Sequence, residues 1–348
     1  MSFADRIERL RAALPDVDGF VSIHFPTVRY LTGFSGSNGS VLVTRHSVTL
    51  FTDGRYITQA EQEAVFDELS IERNVLSAAV NKATDLSSVA FEAEHVSASD
   101  YLEFFGDEKW IPTRAVVEQL RAVKDQSEVD ALARACEITS IALENIFAGN
   151  LIGRSEIEIA ADLEHEFLKL GAENRAFDSI VASGPNSAIP HHQPTKRPIT
   201  NGDFLKIDCG ARFAGYHADL TRTVVVGRAA DWQREIYSVV AEAAAKTRAA
   251  AIAGVDVFDL DTIARDSITT AGYGEFFLHP TGHGVGLEIH ELPFLGRKDG
   301  ILRPQMLITV EPGVYLANRG GVRIEDTLLI TETGHKNLTT VTRELQEL

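Results

Sequence analysis

The sequence predicts an α+β protein of two domains, with a smaller α/β domain preceding a larger one in which a single order of elements is used twice. Three observations carry this. The chain has 348 residues, long enough to bury two cores. From residue 2 to about 109, short helical and strand patterns alternate, as in a compact α/β domain. Past about residue 125, two helices followed by strands occur and then recur, which suggests a duplicated architecture although no repeated residue pattern accompanies it. Between them, a proline followed by TRAVVEQLRAVK reads as the passage from one domain to the next. The expected domains are therefore 1–122 and 123–348.

In the first domain, MSFADRIERLRAAL is an amphipathic helix over 2–14, with Ser2 and Asp5 as its capping pair. Strands are expected over 20–24, 40–43, 48–51 and 89–92, and helices over 55–64 and 98–105. GFSGSNGS, residues 33–40, reads as a hairpin loop, because no lysine follows its last glycine as it would in a phosphate loop. The domain holds no dense set of metal-type ligands.

The second domain opens with a helix near Asp125, where Glu128 completes a capping box and Val129, Leu132, Cys136, Leu143 and Phe147 recur at helical spacing. Gly153 is expected to break it. Ser155 opens a second helix, with Ile159, Leu163, Phe167 and Leu170 on one face and Gly171 at its end. Strands follow over 179–182, 204–209 and 216–226, then helices over 232–253 and 257–271, then strands over 307–311 and 322–330.

The formal charge of −17 argues against a nucleic-acid or anionic-membrane surface, which needs clustered Lys and Arg. Cys136 and Cys209, the two cysteines, fall in segments read as helix and strand core, so a reducing cytoplasm is expected and a disulfide framework is not. The N-terminal stretch lacks the apolar core of a signal peptide, and no run reaches membrane-spanning length. A soluble, cytoplasmic protein is the expectation.

Chemistry concentrates in LKIDCGARFAGYHADLTRT, residues 205–223. Apolar alternation on both sides of ARFAG reads as a hairpin, with Asp208 and Asp219 on paired strands. Leu205, Ile207 and Cys209 share one face and Lys206 and Asp208 the other; His217, Asp219, Thr221 and Thr223 fall on one side of the second strand. Two carboxylates then point into one polar pocket, and such a pair implies a bound cation or acid catalysis. Downstream, His283 lies in HPTGHGVGLEIHELP, where Gly282, Gly284 and Gly286 would let the backbone approach a ligand or bend sharply. Glu311 opens EPGVY at the end of an apolar strand, where a charge needs a partner, and Glu325 lies in GGVRIEDT. Four carboxylates and one imidazole suit a pair of divalent ions of intermediate hardness, with Arg323 and histidines as nearby donors.

Together these residues resemble the creatinase/aminopeptidase, or pita-bread, metallopeptidase family: an aspartate, a second aspartate eleven residues on, the histidine of GHG, then glutamates in EPG and RIED contexts. The resemblance covers the second domain closely and the first, as a creatinase-like domain, more loosely. It implies that Asp208 chelates one ion, Asp219 and Glu325 bridge both, and His283 and Glu311 hold the other. Manganese is the implied metal, with cobalt and zinc as alternatives. His191 resembles a substrate contact near the metals, and His279 and His290 resemble donors that stabilise the tetrahedral intermediate. His192 is left as structural, and no role is assigned to His217.

The resemblance further implies hydrolysis of the Xaa-Pro bond at a peptide's N-terminus through a metal-bridging hydroxide, with Glu311 moving the proton, and a homodimer in which one N-terminal domain narrows the other subunit's cleft. Asp53, Gly54, Arg55 and Tyr56 match an Asp-x-Arg-Tyr element of small bacterial aminopeptidases P, which makes Arg55 and Tyr56 candidate substrate contacts. An Xaa-Pro dipeptidase (prolidase) is the alternative; it must capture a free C-terminal carboxylate, and Phe294 follows HELP where an arginine would serve. A metal-free peptide-binding or creatinase-like protein is the remote alternative, opposed by the intact ligand set.

Overall fold

The first helix of the computed structural model, which describes residues 2–298 and 300–348, begins where its cap demands. Asp5 N–H donates to Ser2 Oγ at 3.2 Å while Ser2 N–H donates to the Asp5 carboxylate at 2.8 Å, and the helix Phe3–Ala13 follows. The chain divides into two units, Met1–Arg121 and Ala122–Leu348.

The N-terminal unit is built on a six-stranded sheet in the order Glu68–Ile71, Val48–Thr52, Gly39–Thr44, Gly19–Ser22, Val89–Glu92, Trp110–Thr113. Its three central strands are antiparallel and the outer pairings are parallel. Parallel neighbours need crossover connections, and the helices Ile57–Glu63 and Ala98–Phe104 supply two of them. The edge strands Glu68–Ile71 and Trp110–Thr113 escape the sequence reading for a physical reason. ELSI is half solvated, and WIPT contains Pro112, which reads as a breaker yet is tolerated on an edge. The helices Phe25–Thr32, Val75–Lys82 and Val116–Ala122 are likewise additions to that reading. GFSGSNGS is not a hairpin loop: it runs from Gly33, in the left-handed region at φ 84°, which closes the helix Phe25–Thr32, to the strand that starts at Gly39. Phe51, Phe91, Phe105 and Trp110 fill the core beneath the sheet.

In the C-terminal unit, Asp125 and Glu128 cap each other's backbone and start the helix Gln126–Phe147. That helix stops at its Ala148 cap, five residues before Gly153, which instead turns the following loop at φ 83°. The helix Glu156–Lys169 starts at Ser155 and is followed by left-handed Gly171. Both helices pack on an antiparallel sheet of Leu220–Val225, Phe204–Cys209 and Ile180–Ser183. Leu205, Ile207 and Cys209 enter a core with Leu163 and Phe167, as alternation predicts, and each large apolar side chain so buried contributes about 1.5–3 kcal/mol. The order then recurs: Asp231–Ala250 and Val257–Thr270 precede an antiparallel sheet of Glu291–Phe294, His283–Gly284, Leu307–Val310, Asp326–Ile330 and His335–Asn337. Gly313–Leu316 and Gly320–Arg323 form a separate hairpin. Among the described residues, no helix is long and apolar enough to cross a membrane.

Two expected strands are interrupted, and both interruptions matter to the site. Asp208 pairs with Thr221 and Cys209 with Leu220, so Asp219 lies just before the paired strand, not on it. The cause is Gly210, where a Cβ would stand 1.8 Å from the carbonyl oxygen of Ala218; this close approach ends the ladder, and short strands Ala211–Phe213 and Tyr216–His217 carry the turn. The expected strand over 322–330 likewise breaks between Arg323 and Asp326, which leaves Glu325 in the gap between two different sheets.

Candidate metal centre and active-site cleft

Asp208, Asp219, His283, Glu311 and Glu325 sit at the ends or breaks of strands drawn from both halves of the C-terminal unit. Asp208 is on Phe204–Cys209, Asp219 precedes Leu220–Val225, and His283 opens the two-residue strand His283–Gly284. Glu311 follows Leu307–Val310, where Thr281 O accepts its backbone N–H at 2.8 Å. The glycines around His283 do not face a ligand. A Cβ on Gly282 would lie 2.1 Å from Thr309 O and one on Gly284 2.2 Å from Leu292 O, so their missing side chains let neighbouring strands close around the histidine.

Asp219, His283 and Glu325 each offer a ligand atom within 4.8 Å of the others'. Glu311 joins through His283 Nε2, which lies 3.4 Å from Glu311 Oε1 and 3.6 Å from Asp219 Oδ2. Asp208 reaches the group through Arg323, whose Nη2 donates to Asp208 Oδ2. Burial pushes Glu311 up to about 8, and burial followed by the surrounding carboxylates pushes Asp219 and Glu325 well above the usual carboxylate range. Burial and the neighbouring His290 lower His283 to about 3, which keeps it in the neutral, ligand-competent form.

These residues fit a divalent metal. Asp208 Oδ1 and Glu325 Oε1 are buried and make no hydrogen bond among the described residues, while their partner oxygens are held by Arg323 and, at 2.6 Å, by the Thr221 hydroxyl. Each carboxylate is thus oriented on one side and left open on the other, as outer-shell bonds orient metal ligands. Four acids around an imidazole repel one another unless cations or protons lie between them.

Asp208, Asp219 and Glu311 line a cleft of about 430 Å³ with apolar walls from Phe177, Ile180, Ile289 and Leu295, the size of a small-ligand site. His191 and His290 line it and are exposed; the His290 ring meets His283 edge to face at 4.3 Å. His279 also lines it, with Nε2 2.8 Å from the Tyr315 hydroxyl, and burial with the Arg323 charge lowers it to about 4. Arg323 is buried and donates to Asp208, to Thr221 Oγ1 at 3.0 Å, to the Tyr315 hydroxyl at 2.8 Å and to Pro190 O at 3.3 Å. It therefore ties a ligand, the His191 segment and the His279 partner into one network.

Arg55 and Tyr56 belong to the N-terminal unit. Arg55 forms a fork on Asp53, at 2.9 and 2.8 Å, and Tyr56 Oη pairs with Ser37 Oγ at 2.5 Å. His192 is indeed structural: its Nε2 meets Glu156 at 2.8 Å. His217 turns its Nδ1 to Gly286 O at 3.0 Å.

Sequence reasoning passed over four residues that shape the site: Tyr315, Lys206, Glu156 and Arg297. Tyr315 is four residues past Glu311 on an alternating strand, a signal that could have marked it. Lys206 donates to Ile189 O at 2.7 Å and holds the backbone before His191. Arg297 lines the cleft with its guanidinium 4.5 Å from the Phe294 ring centroid. A further cluster, His24, Glu92, His95 and Glu118, overturns the expectation that the first domain has no dense set of metal-type ligands. Its members come from four separate elements, which sequence spacing cannot bring together.

Comparison with known proteins matches this geometry. Metallopeptidase family M24 matches residues 130–332, and the creatinase/prolidase N-terminal domain matches residues 6–123. An uncharacterized peptidase, YqhT, of Bacillus subtilis (strain 168) is 36% identical, over 98% of this chain and 99% of its own length. The solved structure of an Xaa-Pro dipeptidase from Bacillus anthracis is 38% identical with a TM-score of 0.95 and full coverage, 100%, of both chains. That of an X-Pro aminopeptidase from Thermotoga maritima MSB8 is 38% identical with a TM-score of 0.90, over 99% of this chain and 100% of its own. With its ligand set at strand ends around a cleft and a creatinase-like domain ahead of a pita-bread domain, the chain belongs to metallopeptidase family M24 and is a peptidase that works with divalent metal ions.

Proposed function

We propose that the chain is a dinuclear-metal Xaa-Pro aminopeptidase, cleaving the bond before a proline in second position, with manganese as the metal and cobalt or zinc as substitutes. One observation carries this: Asp208, Asp219, His283 and Glu311 line a single apolar-walled cleft, and Glu325 is buried within ligand distance of Asp219 and His283. Asp208 would hold one ion, His283 and Glu311 the other, with Asp219 and Glu325 between them. When bound, such ions polarise a carbonyl and make water a nucleophile near neutral pH. The chain's own groups do the rest. Glu311, beside His283 at the strand end, carries a proton toward the leaving nitrogen. His290, at the exposed rim, is the histidine free to donate to the developing oxyanion, whereas neutral His279 gives its one N–H to Pro280 O and accepts from the Tyr315 hydroxyl, which makes it a brace of the cleft wall rather than the donor the resemblance implies. The apolar walls suit a proline ring, and His191 faces the substrate across the cleft. The proposed setting is the cytoplasm, in keeping with two buried, unpaired cysteines, and the proposed assembly is a homodimer.

A second reading, an Xaa-Pro dipeptidase, is favoured by Arg297. This arginine supplies at the cleft wall the cation that position 294 lacks, and it could receive a dipeptide's terminal carboxylate. Names of similar proteins support both readings, since one solved relative is called a dipeptidase and another an aminopeptidase. The test is hydrolysis of an Xaa-Pro dipeptide against an Xaa-Pro-Yaa tripeptide by chelator-stripped protein reloaded with manganese, cobalt or zinc. Preference for the tripeptide is expected; a strong preference for the dipeptide selects the second reading, and full activity without metal removes both.

A further inference from the structure

We propose that His24, Glu92, His95 and Glu118 form a second metal site, within the N-terminal unit, that takes one tetrahedral divalent ion of the zinc type. His24 caps the helix Phe25–Thr32, Glu92 ends the strand Val89–Glu92, His95 lies in the turn Ala93–His95, and Glu118 is on the helix Val116–Ala122. One ligand atom from each lies within 4.8 Å of all the others. Two imidazoles and two carboxylates are a zinc-type donor set, and a tetrahedral ion with bonds near 2.0–2.1 Å holds its ligand atoms about 3.3 Å apart. A turn of one imidazole and a short inward movement therefore complete the site.

Hydroxyl and imidazole neighbours already hold the two carboxylates. The His24 and His95 rings are stacked with centroids 3.4 Å apart and planes within 2°. One ring turns out of the stack when both bind, because a metal lies in the plane of each imidazole that holds it. Thr27 Oγ1 lies 3.2 Å from His24 Nδ1 and donates to Glu92 Oε1 at 2.8 Å, while Ser22 Oγ donates to Glu92 Oε2. These hydroxyls play the part of outer-shell partners. His95 Nε2 faces Glu118 Oε1 at 2.7 Å, and Glu118 Oε2 is buried with no hydrogen bond among the described residues. A divalent ion would balance the two carboxylates and give that oxygen a partner.

An ion here would tie together segments far apart in the chain, and it would hold the helix Val116–Ala122, the last element before the second unit begins at Ala122. The site shares no residue with the catalytic set, so it can be tested apart from it. Full-length protein carrying Asp219→Asn and Glu325→Gln is stripped with chelator, dialysed against buffered zinc and assayed by elemental analysis. One zinc ion per chain is expected to remain, to be lost on adding either His95→Ala or Glu118→Gln, and to slow hydrogen exchange of the 116–122 amides. Cobalt in its place is expected to give the intense visible bands of tetrahedral coordination. Circular dichroism reports folding, and the nearly isosteric Glu118→Gln decides the matter if His95→Ala unfolds the domain. Absence of bound zinc in the Asp219→Asn/Glu325→Gln protein, or zinc that persists in the Glu118→Gln form, overturns the proposal.

Discussion

Glu156 offers the sharpest quantitative test of how the cleft is held. Its side chain is fully buried, and six donors converge on it. Ser183 N–H and Oγ, at 2.7 Å each, and Asn186 Nδ2, at 3.0 Å, reach Oε1; His192 Nε2 at 2.8 Å, Thr195 N–H at 2.9 Å and Thr195 Oγ1 at 2.7 Å reach Oε2. Glu156 thus pins both ends of the segment that carries Pro190 and His191. Burial alone would raise its proton affinity, but the hydrogen bonds outweigh it and lower the carboxyl from 4.5 to about 2. At about 1.36 kcal/mol per unit, the ionised form contributes about 3 kcal/mol. Glu156→Gln presents an amide nitrogen to three donors, of which the one hydroxyl can turn to accept; losing the other two bonds to a charged acceptor, at about 1.5–3 kcal/mol each, gives about 3 kcal/mol or more. Because the folded value lies below the unfolded one, this stability is fully present above pH 4.5 and is lost as pH falls through about 2. Urea unfolding of both proteins, followed by Trp232 fluorescence in a Trp110→Phe background, should give a difference of about 3 kcal/mol that is flat from neutrality to about pH 5 and shrinks below. The variant should also lose kcat/KM through a loosened His191. A difference under about 1 kcal/mol, or one that changes between pH 5 and 8, would refute the reasoning.

Three further outcomes are expected. Arg297→Ala should lower kcat/KM for an Xaa-Pro dipeptide about 10- to 100-fold, the worth of one charge-assisted bond, while sparing a tripeptide; equal losses on both would remove Arg297 as a carboxylate receptor. Metal-free protein should become less stable as pH rises from 5 to 8, because Glu311 keeps a proton up to about 8 when folded but releases it near 4.5 when unfolded; metal-loaded protein should show no such slope, read as Tm against pH with and without chelator. Gly282→Ala places a methyl 2.1 Å from the Thr309 carbonyl oxygen, and it should either abolish metal binding or cost several kcal/mol in thermal unfolding. A variant with normal metal content and Tm would mean that the two strands separate freely.

Some features of this protein were legible in the chain because their causes are local. Ser2 with Asp5, Asp125 with Glu128 and Ser155 with Glu158 announce helix starts, since a cap is satisfied three residues away. Leu205, Ile207 and Cys209 announce a buried face because a strand alternates strictly. The acids and the histidine that gather at the cleft stood out for a related reason: acidic side chains at the ends of apolar strands have few other uses. Local signals fail where a neighbour in space makes the decision. Gly210 and the Ala218 carbonyl interrupt the Asp208–Asp219 hairpin, and the break after Arg323 delivers Glu325 to the site; neither shows in alternation. Pro112 concealed an edge strand because only the sheet reveals which N–H groups need no partner. Folding also chose Arg297 in place of position 294 as the cleft's wall cation, drew Tyr315 and Lys206 behind the histidines, and gathered His24, Glu92, His95 and Glu118 from four elements. Sequence alone therefore determined the kind of chemistry and most helices and strands, through capping and periodicity that act within a few residues. Tertiary structure decided which charges face one another, because that depends on strand register and packing between segments more than a hundred positions apart.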